Sequence, residues 1–112
     1  MADATESIGI LQFALNAVVS QQHVIANNIA NQDTPGYQAN QVTFQSSLAA
    51  ALQQGGSAAM TVAPEGLPSG TNGNNVSIAT EMTLLMENNL ENQLVANALS
   101  TQFSILSAAI SA

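Results

Sequence analysis

Residues 78–110 read IATEMTLLMENNLENQLVANALSTQFSILSAAI, a stretch without glycine or proline. Within it Ile78, Met82, Leu85, Asn89, Asn92, Ala96, Leu99, Phe103, Leu106 and Ile110 recur at alternating four- and three-residue intervals. That period describes a helix packed along its length on another helix, and about four and a half heptads suffice for a coiled-coil-like pairing. Asn89 and Asn92 place two amides on this seam. Either they fix register and partner number at a cost in stability, or they lie at a wet margin of the stripe. Leu84, Leu90, Leu94 and Val95 flank the seam and widen it. A single partner helix leaves part of such a face uncovered.

The partner within the chain lies at the other end. Ile8, Leu11, Leu15, Val18, Ile25 and Ile29 follow a helical spacing interrupted only by Gln22, which predicts an amphipathic first helix. Asp3, Thr5 or Ser7 offers a side-chain oxygen for its N-cap, and Asp3 and Glu6 suit the positive end of its dipole. At its other end Asn31 tolerates a left-handed cap, and Pro35 pushes Thr34 out of the helical region. Thr34-Pro35-Gly36-Tyr37 fits a type II turn, with Pro at the second position and Gly supplying positive φ at the third.

Beyond the turn, Tyr37, Ala39, Val42 and Phe44 suggest a short extended stretch, and 46–54 has the Ala/Leu/Gln content of a short helix stopped by Gly55-Gly56. Residues 55–75 hold five of the seven glycines and two of the three prolines. They read as a flexible connector that orders on assembly. The expected organisation is a terminal helix over 1–33, a turn, extended segment and short helix over 34–54, the connector over 55–75, and a coiled-coil-like helix over 76–112. The predicted fold is mainly α, with the long terminal helices paired as an inner domain. Each spans on the order of 35 to 45 Å, and together they present more apolar surface than they bury on one another. The chain therefore reads as a subunit whose core neighbours complete.

Composition narrows the partners. The 112 residues include seven Asp or Glu, no Lys or Arg and one His, for a formal charge of −7. Without a basic side chain to neutralise phosphates, nucleic acid is excluded as a partner. Arginine clamps, lysine Schiff bases and polybasic lipid attachment are excluded with it. The lack of cysteine removes disulfides and thiolate zinc sites. No run of 18 apolar residues occurs, so no transmembrane insertion is expected, and the acidic first seven residues do not resemble a cleavable secretory signal. The 46% hydrophobic content suits one domain, but aromatics are 4% and 23 positions are Asn or Gln. Large apolar anchors are few.

Two motifs carry a more specific message. Ala26-Asn27-Asn28-Ile29-Ala30-Asn31-Gln32-Asp33-Thr34-Pro35-Gly36-Tyr37 resembles the ANNIANxxTPGY motif of bacterial flagellar rod and hook proteins. Asn74-Asn75-Val76-Ser77-Ile78 with Glu81-Met82 resembles the NNVDLxxEM start of their C-terminal helix. The resemblance covers 8–54 and 74–110. Within the family, the short length, Val42-Thr43-Phe44 and the ending Leu106-Ser107-Ala108-Ala109-Ile110 are most similar to the proximal rod member. The sequence departs from the family at Gln38, where a basic residue is common, at Asn92, where a Tyr is frequent, and at Ser77, the usual Asp.

The resemblance implies a non-enzymatic, cofactor-free subunit of the flagellar basal body rod. Such a protein is exported by the flagellar type III apparatus without a cleaved signal and polymerises in the periplasm into the drive shaft for motility. It further implies contacts with other copies and with the neighbouring rod proteins FliE and FlgC. The motif residues Asn27, Asn28, Asn31, Thr34, Pro35, Gly36 and Tyr37 then shape the turn. Helix pairing and assembly fall to Ile8, Leu11, Leu15, Val18, Ile25, Ile29, Met82, Leu85, Leu99, Phe103, Leu106 and Ile110. The alternatives are another rod subunit such as FlgC, or a helical binding module of the export system that stays outside the rod.

Catalytic readings are weak beside these. His23, with Asp33 and Ser20, composes a triad only by residue type, since no nucleophile elbow is present. Glu87 and Glu91 lie one turn apart, but two carboxylates alone make a poor cation site and suit a solvated face. Met82 and Met86 read as core fillers. Tyr37 is expected to pack back on the chain's own helices rather than face a partner. The absent Lys and Arg suggest adaptation to an acidic periplasm, where protonating carboxylates brings the chain close to neutral and assembly strengthens as pH falls.

Overall fold

The computed structural model describes residues 4–111, with the elements α1 (Ala4–Ala30), β1 (Asn40–Thr43), α2 (Gln45–Gln54), β2 (Thr61–Pro64) and α3 (Ile78–Ser111). Of the expected N-caps, Asp3 lies outside the described residues, and Thr5 and Ser7 fall within α1 rather than before it. Helices α1 and α3 run antiparallel: Asn74, just before α3, bonds to Asn31, just after α1, whereas Asn88 reaches Val18 further along both. The fold is mainly helical, with the two long helices packed together as expected and a two-stranded antiparallel sheet whose strand β1 lies against α1. The molecule is an elongated rod, 64 × 23 × 15 Å.

The sheet is a difference from the sequence reading. Residues 61–64, within the expected flexible connector, form β2 and pair with β1 in the register Asn40↔Pro64 to Thr43↔Thr61. Thr-Val-Ala is a short β-compatible run, and pairing satisfies backbone groups that would otherwise need water. Val42 of β1 faces inward, joining Ala17, Val18 and Phe44 in the core, with Phe13, Val24, Leu48 and Val95 against it. The rings of Phe13 and Phe44 meet edge to face, with centroids 6.5 Å apart. Such a pair adds to the burial of both rings, and here it ties the start of α2 to α1.

Which faces of the long helices turn inward differs from the expected seam. On α1 the buried positions are Ile10, Ala14, Ala17, Val18, Ile25 and Asn28, while Ile8, Leu11, Leu15 and Ile29 are half-buried. Ala14 and Ala17 are fully buried, and Ala17 packs with Val18, Val42 and Phe44. On α3 the buried residues are Glu81, Asn88 and Leu99, with Leu85, Asn92 and Val95 half-buried between them. Of the ten expected seam positions Leu85, Asn92 and Leu99 hold, while Ile78, Leu106 and Ile110 are exposed. The remaining four move by one residue, from Met82, Asn89, Ala96 and Phe103 to Glu81, Asn88, Val95 and Gln102. The deeply buried amide is thus Asn88, not Asn89 or Asn92. Its Nδ2 donates to the Val18 carbonyl at 2.8 Å and to Gln21 Oε1 at 3.1 Å.

The shift turns a second apolar row outward. Met82, Met86, Leu90 and Leu94 lie along one outer face of α3, and Phe103, Ile105, Leu106 and Ile110 are exposed beyond the end of the pairing. By length and composition alone both long helices reach what a membrane crossing needs, although neither carries an unbroken apolar run of 18 residues. The apolar window of α3 is 6% buried against the rest of the chain, that of α1 28%.

Candidate functional site

The two sequence motifs, more than 35 residues apart in the chain, meet at one end of the helix pair. Their meeting point is built almost wholly from amides and backbone. Helix α1 stops at Asn31 without the left-handed cap expected there, since no described residue other than glycine has positive φ. Instead Asn31 folds its Nδ2 back to the Asn27 carbonyl at 2.8 Å. Tight turns follow, with Gln32 N–H bonded to Ile29 O and Thr34 N–H to Asn31 O. The type II turn closes as predicted: the Tyr37 N–H donates to Thr34 O at 3.2 Å and Gly36 sits at φ 77°.

Asn28 is fully buried on α1 and serves the chain that returns over it. Its Nδ2 donates to Asn40 O at 2.8 Å and its Oδ1 accepts from Asn40 N at 3.1 Å, so one side chain imitates a strand partner for the first residue of β1. The same Oδ1 accepts the Tyr37 hydroxyl at 3.2 Å. Tyr37 therefore packs back on α1, the alternative favoured by the direction of the turn.

The second motif locks this arrangement from outside. Asn74, buried, donates through Nδ2 to Asn31 O at 2.8 Å and Thr34 O at 2.7 Å, the two carbonyls that also accept the Thr34 and Tyr37 N–H groups of the turn. Asn75 accepts the Ala39 N–H on Oδ1 at 2.6 Å, donates its own N–H to Tyr37 O at 3.2 Å, and reaches Leu67 O with Nδ2. Gly36 N–H donates to Asn72 O at 3.0 Å. A Cβ on Gly73, at φ +81°, would lie 3.3 Å from the Gly36 Cα. Two glycines thus let the turn and the returning segment touch backbone to backbone.

Two departures from the family pattern acquire a use. Gln38 donates to the Gly73 carbonyl and to Ser69 Oγ, holding the connector without a charge. Ser77 accepts the Thr80 N–H at 3.3 Å as the N-cap of α3, a task for which Asp and Ser are about equally suited. Asn74 and Asn75 were absent from the expected site residues. The signal for them was their place in the second motif.

Of the other expected site residues, Asn27 is exposed and contributes its carbonyl, while Thr34 and Pro35 are exposed on the turn. Met82, Phe103, Leu106 and Ile110 face outward, and Leu99 is buried beside α1. His23 and Asp33 are exposed and Ser20 is half-buried. Glu91 accepts from Gln45 Nε2 at 3.3 and 3.4 Å, which engages it with α2. No group of three or more His, Cys, Asp or Glu among the described residues has the arrangement to hold a metal ion.

Comparison with known proteins accords with the motifs. The sequence profile of the family described as "Flagella basal body rod protein" matches residues 10–38, which include the end of α1 and the turn. Over most of its length the chain is similar to the "Flagellar basal body rod protein FlgB" of Escherichia coli, at 34% identity covering 81% of this chain and 83% of that protein. The Bacillus subtilis protein of the same name is 34% identical, with 86% of each chain covered. That of Aeromonas hydrophila is 29% identical over 88% of each. Two motifs in order, the helix pair they close and relatives aligned nearly end to end agree: the chain belongs to the FlgB family of flagellar basal body rod proteins.

Proposed function

We propose that this protein is a structural subunit of the proximal rod and acts by polymerisation, with its outward apolar faces covered by neighbouring subunits. The observation that carries this reading is the row Met82, Met86, Leu90 and Leu94 on one outer face of α3, together with Phe103, Ile105, Leu106 and Ile110 exposed near the end of the same 34-residue helix. Exposed apolar surface of this extent marks a contact site. A bilayer suits it poorly, because Glu87, Asn89, Asn92, Gln93 and Asn97 recur along the same helix and polar side chains in hydrocarbon are costly. Covered by protein, the amides meet partners or trapped water.

In this reading the role is mechanical, and no catalytic step is needed. The protein resides in the basal body, in the periplasmic part of the rod. It arrives through the flagellar type III apparatus and contacts further copies together with FliE and FlgC. The test is site-directed cross-linking in purified basal bodies with cysteines at Met86 and Leu90, positions that leave the α1–α3 contact intact. The expected products join this chain to itself or to an adjacent rod protein. Motile cells with intact rods after deletion of the gene would overturn the proposal.

A further inference from the structure

Two of the seven acidic residues face each other inside the molecule. Glu81, in the first turn of α3, is fully buried. Glu65 follows β2, anchored by its N–H to Ala39 O at 2.9 Å. All four carboxylate oxygens are out of contact with water, and as ionised groups none has a hydrogen-bond partner. Two buried anions side by side are costly, and the chain has no Lys or Arg to neutralise either.

One proton resolves the conflict, because a carboxylic acid donates to the carboxylate beside it. We propose that Glu65 and Glu81 share one proton in the folded chain and form a pH-sensitive latch that fastens the β2 segment to the start of α3, closing below neutral pH and loosening above it. Burial raises the Glu65 carboxyl, and the hydrogen bond and charge of Glu81 raise it further, from its ordinary 4.5 to about 7. Among the described residues Glu81 is the charged group that acts on it.

The surrounding elements add no counter-charge. Strand β1 carries no titratable side chain, His23 on α1 and Asp33 in the turn are exposed, and Tyr37 is engaged with Asn28. On α3, Glu87 is exposed and Glu91 is held by Gln45.

The sign follows from linkage. The folded carboxyl holds its proton where the unfolded one has lost it, so the stabilisation is fully present below about pH 4.5 and is lost as pH rises through about 7. This gives the acid-favoured behaviour anticipated from the missing basic residues a particular location. It concerns the fold of the single chain, independently of what the chain assembles with.

The test combines denaturation and side-chain 13C NMR on the full chain between pH 5 and 8, with and without EDTA. The wild type is expected to gain helicity and at least about tenfold in folded-to-unfolded ratio on going from pH 8 to pH 5, the equivalent of one pKa unit. One glutamate carboxyl should titrate near neutrality. Glu65→Gln supplies a permanent donor to Glu81 and should lose both effects while staying folded at pH 8. Glu87→Gln removes the same charge at an exposed site and should keep them. Parallel pH profiles for wild type and Glu65→Gln, or no gain of structure in the wild type toward pH 5, would overturn the latch. So would a neutral-pH stability that EDTA abolishes and Ca2+ restores, which would make the pair a cation site.

Discussion

The two ends of the α1–α3 pair are built on opposite principles. At the turn end, Asn28, Asn74 and Asn75 bond to backbone groups of residues 31, 34, 39 and 40, so the polar groups there find partners within the chain. At the far end, Phe103, Ile105, Leu106 and Ile110 leave apolar surface in water. Hydrogen bonds are directional and saturable, so a closed set fixes geometry and offers no further valence. Apolar surface is neither directional nor saturable, and accepts a neighbour. The contrast suits a subunit that must hold one shape while joining others.

Four changes probe that contrast, and the largest effect is on assembly. Met86→Gln with Leu90→Gln removes apolar area that is mostly exposed in the free chain. Loss of motility and of rods in purified basal bodies is expected, with a melting transition close to wild type. A large loss of monomer stability would mean that this face is already covered.

At the polar end the order reverses, with stability affected first. Asn28→Ala strips both backbone groups of Asn40 and the Tyr37 hydroxyl of their partner, and about 2–4 kcal/mol should be lost in urea denaturation, since unsatisfied buried groups are costly. Gly36→Ala forces a side chain into positive φ, expected to cost about 1–2 kcal/mol. The smallest effect is Ser77→Ala, near 1 kcal/mol for the lost cap of α3 and visible as a shifted thermal midpoint. If the cap and the buried amide proved equal in effect, the polar end would be a set of local contacts rather than a coupled network.

Much of this architecture was legible beforehand. Long stretches without proline, and with Gly9 as their one glycine, announce α1 and α3. Pro35-Gly36 specifies its turn because only that pair supplies both backbone conformations cheaply. Strand β2 was not legible, because a three-residue β-compatible run amid glycines has no stability until β1 lies beside it. The face that α3 turns inward was also hidden. Apolar residues surround that helix, from Met82 through Leu85, Met86, Leu90 and Leu94. Their periodicity therefore does not select one seam, and the seam chosen by packing includes Glu81 and Asn88.

By itself, then, the sequence determined two long helices, the reversal between them, the family and the surplus of apolar surface. These follow from local backbone preferences and residue counts, which need no knowledge of distant neighbours. Only the tertiary structure decided that Asn74 and Asn75 close the end of α1, that Asn28 stands in for a strand, and that Glu65 meets Glu81. Each of those depends on groups 12 to 43 residues apart or on burial, and a polar group's partner is set by where the fold leaves an open donor or acceptor.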